Sequence, residues 1–177
     1  DSLTFSLTPT DTMYITNAEM GEPWMPGELI PYGDMKISPA AGVLNYGQGL
    51  FEGMKAYRTS KDRVVFFRPE ENARRMQRGA DRLKMPPVPE SIFVDAVEQC
   101  VKANLRWLPP MGKGAMYVRP LLMGSGPILG VAPAPSYRFL VYVTPVGPYF
   151  KGGVKAIDLL ISDVHHLSLI HISEPTR

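Results

Sequence analysis

Proline sets the outline of this chain. Pro69, Pro86-Pro87 and Pro109-Pro110 divide the middle of the sequence into two stretches of helical length with no strand between them. Proline fixes φ and lacks an N–H, so it opens a helix at no cost and stops one that reaches it from within. The first stretch starts at Pro69, with Glu70 and Glu71 near the positive end of the helix dipole. Ala73, Met76, Ala80 and Leu83 recur there at helical spacing, and Arg74, Arg75, Arg78 and Arg82 lie mostly off that face. The second stretch has Ser91 as its expected N-cap and an apolar stripe of Val94, Val97, Val101, Leu105 and Leu108.

Strands are expected on either side of this helical pair. Residues 12–16, 64–67, 115–123, 138–143 and 156–161 are alternating, β-branched or aromatic. Lys61-Asp62 supplies a turn before the second of these, and Pro120 places the third at a sheet edge or a bulge. Residues 21–42, dense in Gly and Pro, read as loops and short strands. Two consecutive helices among strands, without βαβ alternation, predict an α+β fold.

A chain of 177 residues is long enough for one domain, or one domain and part of a second. Its net charge of +2 gives no bulk argument for nucleic acid, and no apolar run reaches the length of a membrane span. The single cysteine, Cys100, makes no internal disulfide and no cysteine metal cluster, which fits a reducing compartment. The chain starts Asp1-Ser2-Leu3, so either a targeting segment was removed or the sequence begins late. The expectation is a soluble protein, cytoplasmic or organellar (mitochondrion or chloroplast).

The residues themselves leave several chemical readings open. Arg74, Arg75 and Arg78 are either a solvated helix face or the source of a guanidinium for a phosphate. Tyr117 and Arg119, two apart, share one side of a strand; they are either a polar outer face or a carboxylate-binding pair. Gly47, Gly49 and Gly53 bracket Leu50-Phe51-Glu52; they either let the backbone approach a ligand or are turn glycines, the default reading, and their spacing is not the dinucleotide fingerprint. His165, His166 and His171 lack a metal-ligand framework. Spacing alone stops at a soluble α+β protein with a candidate anion site.

Longer runs carry a resemblance. The run 46–57, YGQGLFEGMKAY, resembles branched-chain amino-acid aminotransferases, as do 67–76 (FRPEENARRM), 117–122 (YVRPLL) and 145–150 (PVGPYF). The resemblance extends to about His166 and looks closest to the plant and bacterial type. It implies fold type IV among pyridoxal 5'-phosphate (PLP) proteins, with a small α+β domain and a larger one, and in the whole protein a homodimer. It implies class IV transamination of Leu, Ile or Val with 2-oxoglutarate, giving a 2-oxo acid and glutamate. By the same motifs, Arg75 corresponds to the arginine on the PLP phosphate. Tyr46, Phe51 and Tyr149 correspond to the substrate side-chain pocket, with Phe5 as a further candidate. Tyr117 and Arg119 correspond to the pair near the substrate carboxylates, and Leu129 and Val131 to loop residues reaching the pocket, in part from the partner subunit. No membrane or nucleic-acid partner is implied.

The implied organisation is a small domain over 1–146, a connector over 147–153, the start of a truncated large domain over 154–166 and a spurious tail over 167–177. That tail, LSLIHISEPTR, resembles translated adaptor sequence. The family's Schiff-base lysine follows the point reached by His166, and no lysine occurs after Lys155. Lys55, Lys113, Lys151 and Lys155 do not match its position. Two near alternatives are a D-amino-acid aminotransferase and aminodeoxychorismate lyase, against which Phe51-Glu52-Gly53-Met54-Lys55-Ala56 and Tyr117-x-Arg119 argue. A non-catalytic dimerising or binding fragment is the alternative of a different class. Incubated with PLP and leucine, these 177 residues are expected to release no ketoleucine above a lysine-free control; turnover would show that another lysine substitutes.

Overall fold

The computed structural model describes residues 3–147 and residue 156. Its framework is one antiparallel sheet of seven strands. The strands are β1 (Thr12–Glu19), β2 (Glu28–Pro31), β3 (Gly49–Phe51), β4 (Met54–Arg58), β5 (Val64–Phe66), β6 (Ala115–Gly124) and β7 (Ser136–Val146). Their order across the sheet is β2-β1-β7-β6-β4-β5, with β3 also pairing with β6. A short helix α1 (Gly42–Tyr46) precedes β3, and helices α2 (Pro69–Arg82) and α3 (Glu90–Ala103) follow one another between β5 and β6. The α+β expectation is borne out.

Both long helices cover one face of the sheet. Ala73, Met76 and Ala80 of α2, with Phe93, Val97, Cys100 and Val101 of α3, pack in one core with Met54, Ala56, Met116, Val118, Leu122, Phe139, Val141 and Val143. Burying these aliphatic and aromatic side chains supplies the main driving force, about 25 cal/mol per Å² of apolar surface removed from water. Leu83 lies beyond the end of α2 and is exposed. Helix α3 begins two residues earlier than a Ser91 N-cap predicts, with Pro89 in the N-cap position. It ends at Ala103, so Leu105 falls in a 3₁₀ turn and is exposed. The buried stripe instead includes Phe93 and Cys100. Burial pushes the Cys100 thiol up to about 12, and its S–H faces the Val141 carbonyl.

Pro120 departs from expectation. It lies in β6, which pairs along its length with β7 on one side and with β3 and β4 on the other. The pairings of β3 (Phe51 with Leu121) and β4 (Met54 with Val118) share one register, so the two strands are one ladder interrupted at Glu52-Gly53. The interruption falls opposite Pro120, whose carbonyl still accepts the Glu52 N–H at 2.9 Å. A strand residue's N–H and C=O point the same way, so the N–H that Pro120 lacks would have faced this gap. An interior proline is tolerated because its partner strand breaks there.

One buried side chain ties the helical layer to the first strand. Asn104, fully buried at the end of α3, accepts the N–H groups of Asp11 (3.0 Å) and Thr12 (3.1 Å). Its amide donates to the carbonyls of Thr12 (3.0 Å) and Cys100 (2.7 Å). Replacing it with alanine strands several buried polar groups, each costing about 1–3 kcal/mol. Asn104→Ala is expected to lower stability by about 3 kcal/mol in urea unfolding; a loss below about 0.5 kcal/mol would show that water replaces the amide.

Candidate functional site

The interrupted β3–β4 ladder gathers most of the predicted residues. Strand alternation sends Phe51 to the face that the helices leave uncovered, Glu52 toward α2, and Gly53 back to the uncovered face. Each of the three then meets a different group.

Phe51 meets Arg119. The guanidinium carbon lies 4.2 Å from the Phe51 ring centroid, and the Arg119 Nη2 donates to the Tyr117 hydroxyl at 2.9 Å. Tyr117 and Arg119 thus share a strand face as their spacing predicts, and they touch. The Phe5 ring meets Tyr117 edge-on at 5.5 Å. Phe5, Tyr117 and Arg119 line a recess of about 130 Å³ with Leu7, Tyr142 and Thr144. Arg119 makes no ion pair among the described residues, and Lys55, the cross-strand neighbour of Tyr117, makes none either. Among the described residues, Arg119 therefore stands on aromatic rings without an acidic partner, which suits a carboxylate.

Glu52 meets Arg75. Its carboxylate is only 4% exposed, and the Arg75 guanidinium engages it through Nε and Nη2, both at 2.6 Å. Asn72, one turn earlier on α2, donates to the same carboxylate at 2.8 Å. A buried carboxylate needs such partners, because an unpaired one is costly to desolvate. Hydrogen bonding and then charge attraction from Glu52 hold the Arg75 pKa above its ordinary value. The Arg75 side chain is nevertheless 64% exposed, and its Nη1 makes no hydrogen bond among the described residues. Arg74 is occupied differently, by Glu71 at 2.9 Å and Glu90 at 3.1 Å on the solvent side.

Gly53 meets Tyr117. A Cβ at position 53 would lie 2.3 Å from the Tyr117 hydroxyl oxygen and 3.1 Å from the ring carbon bearing it. This glycine is required by close approach, not by a turn. Gly47 is the turn residue, closing α1 at φ +65.

A second group forms beside α1. The Tyr46 hydroxyl donates to the Leu129 carbonyl, and Tyr46 and Val131 line a recess of about 350 Å³ with Gln48, Arg82, Leu83 and Lys84. Leu129 and Val131 are more than 90% exposed. Gln48 fixes this loop: its side-chain carbonyl accepts the Ala134 N–H at 3.0 Å and its amide donates to the Leu83 carbonyl at 3.0 Å. Tyr149 lies outside the described residues, as do the three histidines. A larger recess of about 690 Å³ lies elsewhere, between Leu3, Trp107, Pro109, Pro110 and Pro145; its arginine, Arg106, is already paired with Asp11.

Spacing did not mark Glu52 or Gln48 as functional, and it left Gly53 among glycines whose default reading was a turn. The available signal was a lone acid in an apolar, glycine-flanked run, where burial demands a cationic partner.

No family model matches the chain. It is 57% identical over 166 residues to "Branched-chain amino acid aminotransferase 2, chloroplastic" of Humulus lupulus, covering 94% of this chain and 41% of the relative. It is 58% identical to "Branched-chain-amino-acid aminotransferase 6" of Arabidopsis thaliana, covering 46% of that protein. A methionine aminotransferase of Arabidopsis thaliana is 46% identical over 163 residues, again with 46% of the relative covered. Among solved structures, a T.th. branched-chain amino acid aminotransferase with pyridoxamine 5'-phosphate has a TM-score of 0.63 at 26% identity, over 81% of this chain and 42% of that one. The same enzyme complexed with N-(5'-phosphopyridoxyl)-L-glutamate gives 0.62, over 80% of this chain. The Escherichia coli branched-chain aminotransferase, at 23% identity and a TM-score of 0.63, shares the fold. The resemblance read from the motifs is borne out over nearly the whole chain, and the chain spans less than half the length of these relatives.

Gly53→Ala is expected to keep the sheet intact while driving the Tyr117 hydroxyl off Arg119. The measurement is the ring resonances of Tyr117 and the Nε–H resonance of Arg119; both unchanged would mean that the ring tolerates the methyl where it stands.

Proposed function

We propose that this chain forms one wall of a branched-chain amino-acid transaminase site, converting Leu, Ile or Val and 2-oxoglutarate into a 2-oxo acid and glutamate. The observation that carries the reading is Arg119, bonded to the Tyr117 hydroxyl and stacked on Phe51 in an aromatic recess, with no acidic partner among the described residues. A site that takes both an aliphatic side chain and a second carboxylate needs apolar walls with one placed cation. The T.th. enzyme, solved with a phosphopyridoxyl-glutamate adduct, supports this pairing of an acidic substrate with the same fold. Tyr46, Phe51 and Tyr149, with Phe5, supply the apolar wall in this reading.

The cofactor is pyridoxal 5'-phosphate. Arg75 would hold its phosphate, and the donor chemistry fits, since Nη1 is unengaged on an exposed guanidinium. When bound, PLP supplies the electron sink that lets an amino acid's Cα–H bond break. The residues of this chain bind and orient: Arg119 and the Tyr117 hydroxyl hold a substrate carboxylate, and Phe51 and Phe5 exclude water from the aliphatic side. The lysine that moves the proton belongs to the whole protein, as does the homodimer in which Leu129 and Val131 would reach the partner's pocket. The near-complete exposure of those two apolar side chains supports that role.

The methionine aminotransferase among the relatives supports a pocket that sets apolar character without ranking Leu, Ile and Val. Relatives named chloroplastic and mitochondrial support an organellar location, and no helix of the described residues is long and apolar enough to cross a membrane. The test is ligand titration followed by NMR. Arg119→Ala is expected to weaken 2-oxoglutarate binding at least about tenfold, a charge-assisted bond of about 1.5–3 kcal/mol, and ketoleucine binding much less. An equal loss for both would remove the dicarboxylate role of Arg119.

A further inference from the structure

We propose that Glu52 is a positioning residue for phosphate: it commits the Nε–Nη2 edge of Arg75 to the protein and leaves Nη1 to engage a phosphate ester. The inference rests on the phosphate reading of Arg75 given above and adds to it the group that makes that guanidinium a site. An exposed arginine on a helix ordinarily samples many rotamers, and fixing it on a ligand is entropically unfavourable. Arg75 is already fixed. Two parallel bonds of 2.6 Å join it to a carboxylate that is itself immobile.

That immobility has three sources. Glu52 is 4% exposed, so its carboxylate is enclosed. The Asn72 amide donates to it at 2.8 Å and also reaches the Gly53 carbonyl at 3.4 Å. The Glu52 N–H donates to the Pro120 carbonyl at 2.9 Å, pinning the backbone in the gap between β3 and β4. The fork geometry then sets the plane of the guanidinium. Glu52 is enclosed and the Arg75 side chain is 64% exposed, and of the guanidinium nitrogens Nη1 is the one that makes no hydrogen bond among the described residues. Arg74 lacks this arrangement, because its acidic partners are themselves about 40% or more exposed.

Glu52 also lowers the net charge of the site, so a competing role has an opposite signature: a neutral residue at 52 would then tighten phosphate binding. The experiment uses the 177-residue chain and two probes, pyridoxamine 5'-phosphate and pyridoxamine, whose affinity ratio isolates the phosphate contribution. In the unmodified chain the ratio is expected to favour the phosphate ester, and in Arg75→Ala to fall to about one. Glu52→Gln is expected to lower the ratio about tenfold without changing pyridoxamine affinity, with Glu52→Asp in between. The Arg75 Nε–H resonance, displaced by the carboxylate, is expected to move back in Glu52→Gln. Asn72→Ala, which leaves the ion pair intact but loosens the carboxylate, is expected to lower the ratio about threefold and serves if Glu52→Gln does not fold. A Glu52→Gln or Asn72→Ala chain with the original ratio, or a higher one, overturns the positioning role alone. An unmodified chain whose ratio is one, or is unchanged by Arg75→Ala, overturns the phosphate reading of Arg75 together with it.

Discussion

A carboxylate enclosed between a sheet and a helix has few ways to persist, and the arrangement around Glu52 follows from that constraint. Without partners it would have to be protonated or exposed. Arg75 and Asn72, three apart on α2, supply three hydrogen bonds from one helix face. Helix α2 is thereby fixed in rotation on the sheet, which agrees with the seating of Ala73, Met76 and Ala80 in the core. Gly79 allows the same closeness one turn later, where a Cβ would stand 3.1 Å from Leu50. The polar pair and the apolar face specify one docking, and neither does so alone.

The same stretch of backbone builds the other face. Because Pro120 offers no N–H, the ladder breaks at Glu52-Gly53, and the break lets three successive residues serve three purposes. Phe51 lies under a cation, Glu52 anchors another cation across the sheet, and Gly53 admits the Tyr117 hydroxyl. The phosphate-binding candidate and the carboxylate-binding candidate are therefore on opposite sides of one strand, held by adjacent residues. A shift of one residue in this register would exchange Phe51 and Glu52, bury an aromatic ring against Arg75 and expose the carboxylate beside Arg119.

How much of this was legible depended on whether the deciding neighbour was local. The two helices were legible because prolines and apolar spacing act within a turn or two. Tyr117 and Arg119 were legible as a pair because strand alternation is strict. The placement of Pro120 was not, since the rule confining proline to edges concerns a strand's neighbours, and the neighbour here, β3–β4, lies some 65 residues away in sequence. The run 46–57 looked like turn glycines because glycine serves turns and close approaches alike; only the position of the Tyr117 ring separates the two. The Ser91 cap failed for a simpler reason: Pro89 already satisfies the geometry of a helix start, so the helix begins two residues sooner. Arg75 was distinguished from Arg74 and Arg78 by motif and not by spacing, and the physical difference between them is a buried partner that spacing does not reveal.

The Glu52–Arg75 pair bears on how such a site discriminates among anions. A neutralised guanidinium attracts less strongly than a bare one, which works against non-specific binding of every anion in solution. The attraction that survives depends on distance: an anion on Nη1 lies closer to the cation than to the carboxylate behind it, so net attraction remains but falls off as steeply as that of a dipole. Arg119 is the contrasting case. It has no acidic partner among the described residues, its orientation is set by a hydroxyl and an aromatic face, and its field reaches farther. On the proposed reading, the first arrangement suits a group held in a fixed place and the second a carboxylate that enters and leaves. That difference in partners matches a division of labour between a resident phosphate and an exchanging substrate.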